Sequence, residues 1–160
     1  AAGADLMTVH AAGGTDMMSS AVKGARKGAA DVDLDAERPT VCAITVLTSM
    51  DAAQLAAIGV QDEPAAEVER LAALAKESGL DGIVCSPKEA AQMRALLGED
   101  AVIITPGVRP KGAALGDQSR VSTPKEAFEA GASHLVIGRP ITRATDPVAA
   151  FDEIVASLSE

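Results

Sequence analysis

The sequence predicts an α/β domain built on a parallel sheet, and three observations carry that prediction. Five short runs, residues 6–10, 41–47, 82–85, 102–105 and 135–137, are apolar nearly throughout and bounded by turn residues. Strands covered on both faces read this way, without polar alternation. Stretches of helical spacing lie between them. The third observation is a joint used three times: Ala2-Gly3-Ala4-Asp5, Ser78-Gly79-Leu80-Asp81 and Ala130-Gly131-Ala132-Ser133 each precede a strand run. Every copy reads as a helix end, a Gly suited to the left-handed cap conformation, a short connection and a strand. Repeated strand–helix units of this kind suit either an α/β barrel or an open doubly wound sheet.

In chain order, run 6–10 leads into His10-Ala11-Ala12-Gly13-Gly14, whose glycines read as an anion cradle or as a tight turn into the next helix. Segment 22–39 is polar, contains Gly24 and Gly28, and reads as a helix tail plus an exposed loop. After run 41–47, Ser49 and Asp51 are candidate helix caps. Residues 65–78 place Val68, Leu71, Leu74 and Ala75 on one face and most charges elsewhere, which predicts an amphipathic helix. Shorter helices are predicted over 88–97 and 124–130, with Pro87 and Pro124 at positions that suit helix starts. A last helix begins at Asp146-Pro147 and runs through Phe151 and Ile154 to Leu158. Nothing in the series reads as a linker, so residues 1–160 are expected to form a single domain.

Composition removes several classes of function. A globule of 160 residues buries roughly 70% of its unfolded surface, and 48% hydrophobic residues supply a core. The charge balance of 14 basic against 23 acidic residues, a net of -9, argues against nucleic acid or an anionic membrane as the partner. No apolar run approaches the ~20 residues a membrane span needs. Cys42 and Cys85 each sit inside an apolar run, which suits buried thiols of a cytoplasmic protein better than a disulfide or a zinc site. Phe128 and Phe151 are the sole aromatic residues, too few for a base-stacking platform. No HxH, CxxC, GxGxxG or GxxxxGK pattern occurs, so metal, dinucleotide and nucleoside-triphosphate sites lack support.

Ligands of parallel α/β folds bind at the carboxyl ends of the strands, so the segments after each run hold the candidate residues. Two of them combine Gly with Arg: Pro106-Gly107-Val108-Arg109-Pro110, leading to Gly116-Asp117-Gln118, and Gly138-Arg139-Pro140-Ile141-Thr142. Gly lets backbone amides approach a ligand, and the guanidinium fork matches phosphate oxygens. In an acidic chain, two arginines after adjacent strands read as a local phosphate pocket; the alternative is a pair of surface salt-bridge partners. Thr48 and Ser49 offer hydroxyls to a polar ligand edge, or cap the following helix. His10 reads as a general base or as a hydrogen-bonded structural residue.

The same segments resemble orotidine 5'-phosphate decarboxylase of the bacterial type. The stretches that carry the resemblance are Val9-His10-Ala11-Ala12-Gly13-Gly14, Ile44-Thr45-Val46-Leu47-Thr48-Ser49-Met50, Gly79-Leu80-Asp81-Gly82-Ile83-Val84-Cys85-Ser86, Thr105-Pro106-Gly107-Val108-Arg109-Pro110, Gly116-Asp117-Gln118 and Val136-Ile137-Gly138-Arg139-Pro140. They follow the family order and cover the chain almost end to end. The pairing of Pro-Gly-Val-Arg-Pro with Gly-Asp-Gln is the most specific part.

The resemblance implies a homodimeric (β/α)8 TIM barrel, of which these five runs are strands 4 to 8. It implies a cytoplasmic carboxy-lyase that converts orotidine 5'-phosphate to uridine 5'-phosphate in pyrimidine biosynthesis, without metal or organic cofactor. Carried over residue by residue, Thr48 matches the hydroxyl that addresses the pyrimidine, and Gln118 the amide between phosphate and base. Arg109, Gly138 and Arg139 match the phosphate group's surroundings. His10 has a counterpart without a catalytic role. The family's catalytic Asp-x-Lys-x-x-Asp motif, on its third strand, does not occur in this sequence. It is expected upstream of Ala1, so no catalytic residue is assigned here, and the 160-residue chain alone is expected to be inactive. The other readings are a different phosphosugar barrel, such as a hexulose-phosphate synthase relative, and a non-catalytic nucleotide-phosphate-binding fragment.

Overall fold

A computed structural model describes residues 3–32, 38–110 and 122–158 of the chain. Five parallel strands, β1 (Leu6–His10), β2 (Thr40–Ile44), β3 (Gly82–Val84), β4 (Val102–Pro106) and β5 (His134–Val136), form one sheet in the order β1-β2-β3-β4-β5. The order never reverses. A doubly wound sheet reverses at a switch point, so this is the wall of an α/β barrel, and the open-sheet alternative falls. The helices are α1 (Gly14–Ala30), α2 (Ala52–Ala57), α3 (Pro64–Glu77), α4 (Ala90–Leu97), α5 (Pro124–Glu129), α6 (Arg139–Thr142) and α7 (Pro147–Ala156).

Register assigns the two faces. Ala43, Ile83 and Ile103 lie side by side and pack with Val68, Leu71 and Ala75 of α3 and Met93 of α4 in the main core. The opposite face carries Cys42, Ile44, Val84 and Ile104 in the middle, all buried or half-buried. On the edge strands that face is open: Leu6, Thr8 and His10 of β1 and His134 and Val136 of β5 are exposed. The expectation of strands covered on both faces therefore holds for β2 to β4 and fails at β1 and β5, each paired on one side only among the described residues.

The repeated joint appears as read. Gly3, Gly79 and Gly131 have φ of 67°, 78° and 98°, the left-handed region that favours glycine. After α3, Gly79 N–H bonds the Lys76 carbonyl and Leu80 N–H the Ala75 carbonyl, both at 3.1 Å. After α5, Gly131 N–H bonds Phe128 at 2.9 Å and Ala132 N–H bonds Ala127 at 3.0 Å. Two residues past each glycine the chain enters the sheet, with Asp81 N–H on Val41 O at 2.9 Å and Ser133 N–H on Ile103 O at 2.8 Å. The side chains complete the exchange: Val41 N–H donates to Asp81 Oδ2 at 2.7 Å, and Ile103 N–H to Ser133 Oγ at 3.1 Å.

Arginines reinforce both of these joints at the amino end of the sheet. Arg38 donates Nη1 and Nη2 to the two carboxylate oxygens of Asp81 at 2.6 Å. That hydrogen bonding, foremost, holds the Asp81 carboxyl below its ordinary value. Arg94 bridges α4 to the β4 and β5 entries through the Gly98, Glu99, Ala101 and Gly131 carbonyls and Ser133 Oγ. Between them lies Gly82, where an added Cβ would stand 1.8 Å from the Val102 carbonyl oxygen. Only glycine fits where β3 and β4 approach this closely.

Several elements refine or correct the expectation. β2 ends at Ile44 rather than residue 47, although Thr45 still bonds Val84 O through its N–H at 3.1 Å and its Oγ1 at 2.8 Å. The polar stretch after residue 22 opens on a helix tail as expected, running to Ala30 because Met18, Val22 and Ala25 form a buried stripe. Residues 33–37 of that stretch lie outside the described residues. Gly13-Gly14 forms the tight turn, with Gly14 at φ 83° opening α1. Asp51, not Ser49, caps α2 by accepting Gln54 N–H at 2.9 Å. Cys42 and Cys85 are free and buried, and burial, then the Asp81 charge, pushes the Cys42 thiol up to about 12.

Candidate functional site

At the carboxyl end of the sheet three adjacent strands surround a cavity of about 230 Å³. Ile44, Val84 and Pro106, one from each of β2, β3 and β4, supply apolar wall, and Cys85 continues it. Thr48 and Ser49, on the segment leaving β2, bring hydroxyls to the lining. Thr48 is buried and Ser49 is exposed. A largely apolar pocket with a few polar groups suits a small organic ligand.

Pro106 also leads to the first arginine. Gly107, at φ 80°, turns the chain off β4, and Val108 then makes a parallel bridge with Ser122. Arg109 N–H donates to Ser122 O at 2.9 Å, which fixes its backbone. The residue is only 8% exposed, yet its Nη1 donates to the carbonyl of its own neighbour, Val108, at 2.7 Å. Among the described residues no carboxylate forms an ion pair with it. A buried guanidinium carries five N–H donors and a charge, and each needs a partner. The surface-salt-bridge reading of Arg109 is thus the weaker of the two.

The second arginine follows the next strand. Gly138 caps the four-residue α6, accepting Ile141 N–H at 2.9 Å and Thr142 N–H at 3.0 Å. Open space lies where a Gly138 side chain would be, so a ligand can reach this backbone. Arg139 is half-buried at the first position of α6. Thr48, Arg109, Gly138 and Arg139 therefore all stand at the same end of neighbouring strands. Thr48 alone of these lines the cavity, and the arginines stand beyond its lining. His10 is exposed at the end of β1 and does not line it either. Gln118, with Gly116 and Asp117, lies outside the described residues.

Sequence reasoning passed over one buried group here. Ser86 and Glu89 form a capping box at the end of β3, with Glu89 accepting Ser86 N–H at 2.8 Å. The signal was present as Ser-Pro-Lys-Glu, a spacing that favours such a box. Among the described residues no group of His, Cys, Asp and Glu is placed to hold a metal, and no helix is long and apolar enough to cross a membrane.

Comparison with known proteins finds relatives along almost the whole chain. Residues 1–154 match the model of the Orotidine 5'-phosphate decarboxylase / HUMPS family. The orotidine 5'-phosphate decarboxylase of Anaeromyxobacter sp. (strain K) is 52% identical over 158 residues, 99% of this chain and 65% of its own length. That of Pseudoalteromonas atlantica is 49% identical over 154 residues, 96% of this chain and 64% of its own. The crystal structure of orotidine 5'-phosphate decarboxylase from Lactobacillus acidophilus superposes with a TM-score of 0.79 at 38% identity, covering 96% of this chain and 62% of that one. The chain thus spans just under two thirds of the length of these relatives.

Proposed function

Since the chain belongs to the Orotidine 5'-phosphate decarboxylase / HUMPS family, we propose that it carries the nucleotide-binding part of an orotidine 5'-phosphate decarboxylase, acting in pyrimidine biosynthesis. Thr48 addresses the pyrimidine, Gln118 lies between base and phosphate, and Arg109, Gly138 and Arg139 receive the phosphate. The observation that carries the reading is Arg109, buried at the carboxyl end with no carboxylate partner among the described residues. A dianionic phosphate supplies the ionic partner that guanidinium lacks among the described residues. The full-length enzyme is proposed to be a cytoplasmic homodimer.

The proposed reaction expels carbon dioxide and leaves a carbanion on the pyrimidine. A Lys ammonium beside it stabilises the charge and returns a proton. None of the described lysines suits that role. Lys23 and Lys27 sit on α1, Lys76 on α3, Lys88 on a turn and Lys125 on α5, and no strand carries one. Binding, rather than turnover, is the property proposed for these 160 residues by themselves.

Calorimetric titration with uridine 5'-phosphate and uridine tests the reading. The chain is expected to prefer the nucleotide, and Arg139→Ala to weaken nucleotide binding by roughly 1.5–3 kcal/mol, the range for a charge-assisted hydrogen bond. Uridine binding is expected to change far less. Equal losses for the two ligands would remove Arg139 from the phosphate site.

A further inference from the structure

We infer that Glu89 is a positioning residue that ties the Thr48 cavity to the segment bearing Arg109; the inference rests on the nucleotide-binding reading above. Three capping boxes occur among the described residues: Asp51 with Gln54, Thr123 with Glu126, and Ser86 with Glu89. The first two lie at exposed positions, where a cap works in water. The third is different. Glu89 is 5% exposed and Ser86 fully buried, so the same local device here takes a carboxyl group out of solvent. Burying a carboxyl costs far more than an exposed cap returns, and a helix start alone does not require it.

Its surroundings show what the corner holds. Val84 and Cys85, the residues before Ser86, are cavity wall. Cys85 N–H is bonded across to Ile104 O at 3.1 Å, so the wall is shared with β4. On the other side, the Pro87–Glu89 turn packs against α5. The cap of that helix, Thr123, directly follows Ser122, the residue that bridges Val108 and accepts Arg109 N–H. By accepting Ser86 N–H from within this packing, Glu89 sets the angle between cavity wall and helix. A shift there moves the base pocket relative to the phosphate-binding arginine, and nucleotide binding needs both in register.

The experiment titrates uridine 5'-phosphate into the 160-residue chain and its variants, well below their melting temperatures. Glu89→Ala is expected to bind about tenfold more weakly, and Glu89→Asp, which keeps the charge but loses reach, to do the same. Glu89→Gln retains an oxygen acceptor for Ser86 N–H and is expected within about threefold of the parent. Asp146→Ala, which removes the exposed cap of α7, serves as a control of comparable destabilisation with parental affinity. If Glu89→Ala and Glu89→Asp lower the melting temperature but bind as the parent does, Glu89 is a helix cap only and the inference is overturned. Should Glu89→Ala fail to fold, the contrast between Asp and Gln decides. Failure of the parent to bind the nucleotide, seen before any substitution, overturns the functional reading and this inference with it.

Discussion

The two ends of the sheet use arginine in opposite ways. At the amino end, Arg94 donates six hydrogen bonds and Arg38 donates three, all to groups of the protein itself. At the carboxyl end, Arg109 is more deeply buried than Arg38 and donates one from its guanidinium among the described residues. Burial alone therefore does not say what an arginine is for. The partners of its remaining N–H groups do: where the fold consumes them, the residue holds loops together, and where they stay available among the described residues in a shielded place, as at Arg109, the proposed role is to receive an anion. In parallel α/β folds the same division appears as stability at one end and function at the other.

The largest test of this contrast is at the amino end. Gly82→Ala puts a methyl group into the Val102 carbonyl, and backbone has to move on one strand or the other. A loss of more than about 4 kcal/mol is expected, enough to prevent a cooperative thermal transition. Arg94→Met keeps the aliphatic stem but strands the carbonyls that close α4 and the β4 and β5 entries. It is expected to cost about 3 kcal/mol, a fall of roughly 6–12 °C in Tm for a chain of this size.

The matching substitution at the carboxyl end sharpens the comparison. Arg109→Met removes a buried charge that lacks an ionic partner among the described residues, so stability is expected to hold or rise slightly. Affinity for uridine 5'-phosphate is expected to fall by roughly 1.5–3 kcal/mol. A drop in Tm as large as that of Arg94→Met would erase the distinction between the two ends.

The amino end was the more legible in the sequence, for a physical reason. A left-handed glycine, a helix end and a strand start are local events, so Gly3, Gly79 and Gly131 could be read from their immediate neighbours. The same holds for the helix starts at Pro87, Pro124 and Pro147 and for the buried thiols. What local reading missed is set by pairing at a distance. The length of α1 depends on Val22 and Ala25 meeting Val41, and the open faces of β1 and β5 depend on which strands lie beside them. At the site, Gly beside Arg marked Arg109 and Arg139 correctly as strand-end residues. That Arg109 is buried and Glu89 is enclosed between two elements follows from packing, which no spacing of residues announces.

The smallest expected effect concerns acid, and it separates the two ends once more. Arg38 and the Val41 amide bind the ionised form of Asp81, so its folded value lies below the ordinary aspartate value of about 3.9. A group depressed on folding contributes stability that is complete above its unfolded value and lost as pH falls through the folded one. Asp81→Asn still accepts from Val41 N–H but gives up the two-point ionic contact with Arg38. At neutral pH it is expected to cost about 1–2 kcal/mol, discounted for partial exposure of the pair. The gap between parent and variant should begin to narrow as pH falls past about 4 and close below the folded value, where both carry an uncharged side chain at this position. Urea unfolding at neutral pH and at progressively lower pH measures the gap. The Arg109→Met variant, by contrast, should run parallel to the parent across that range, because no carboxylate among the described residues depends on it. A gap for Asp81→Asn that stays constant down to pH ~3 would show that the amide's geometry, and not the charge, is what the amino end needs.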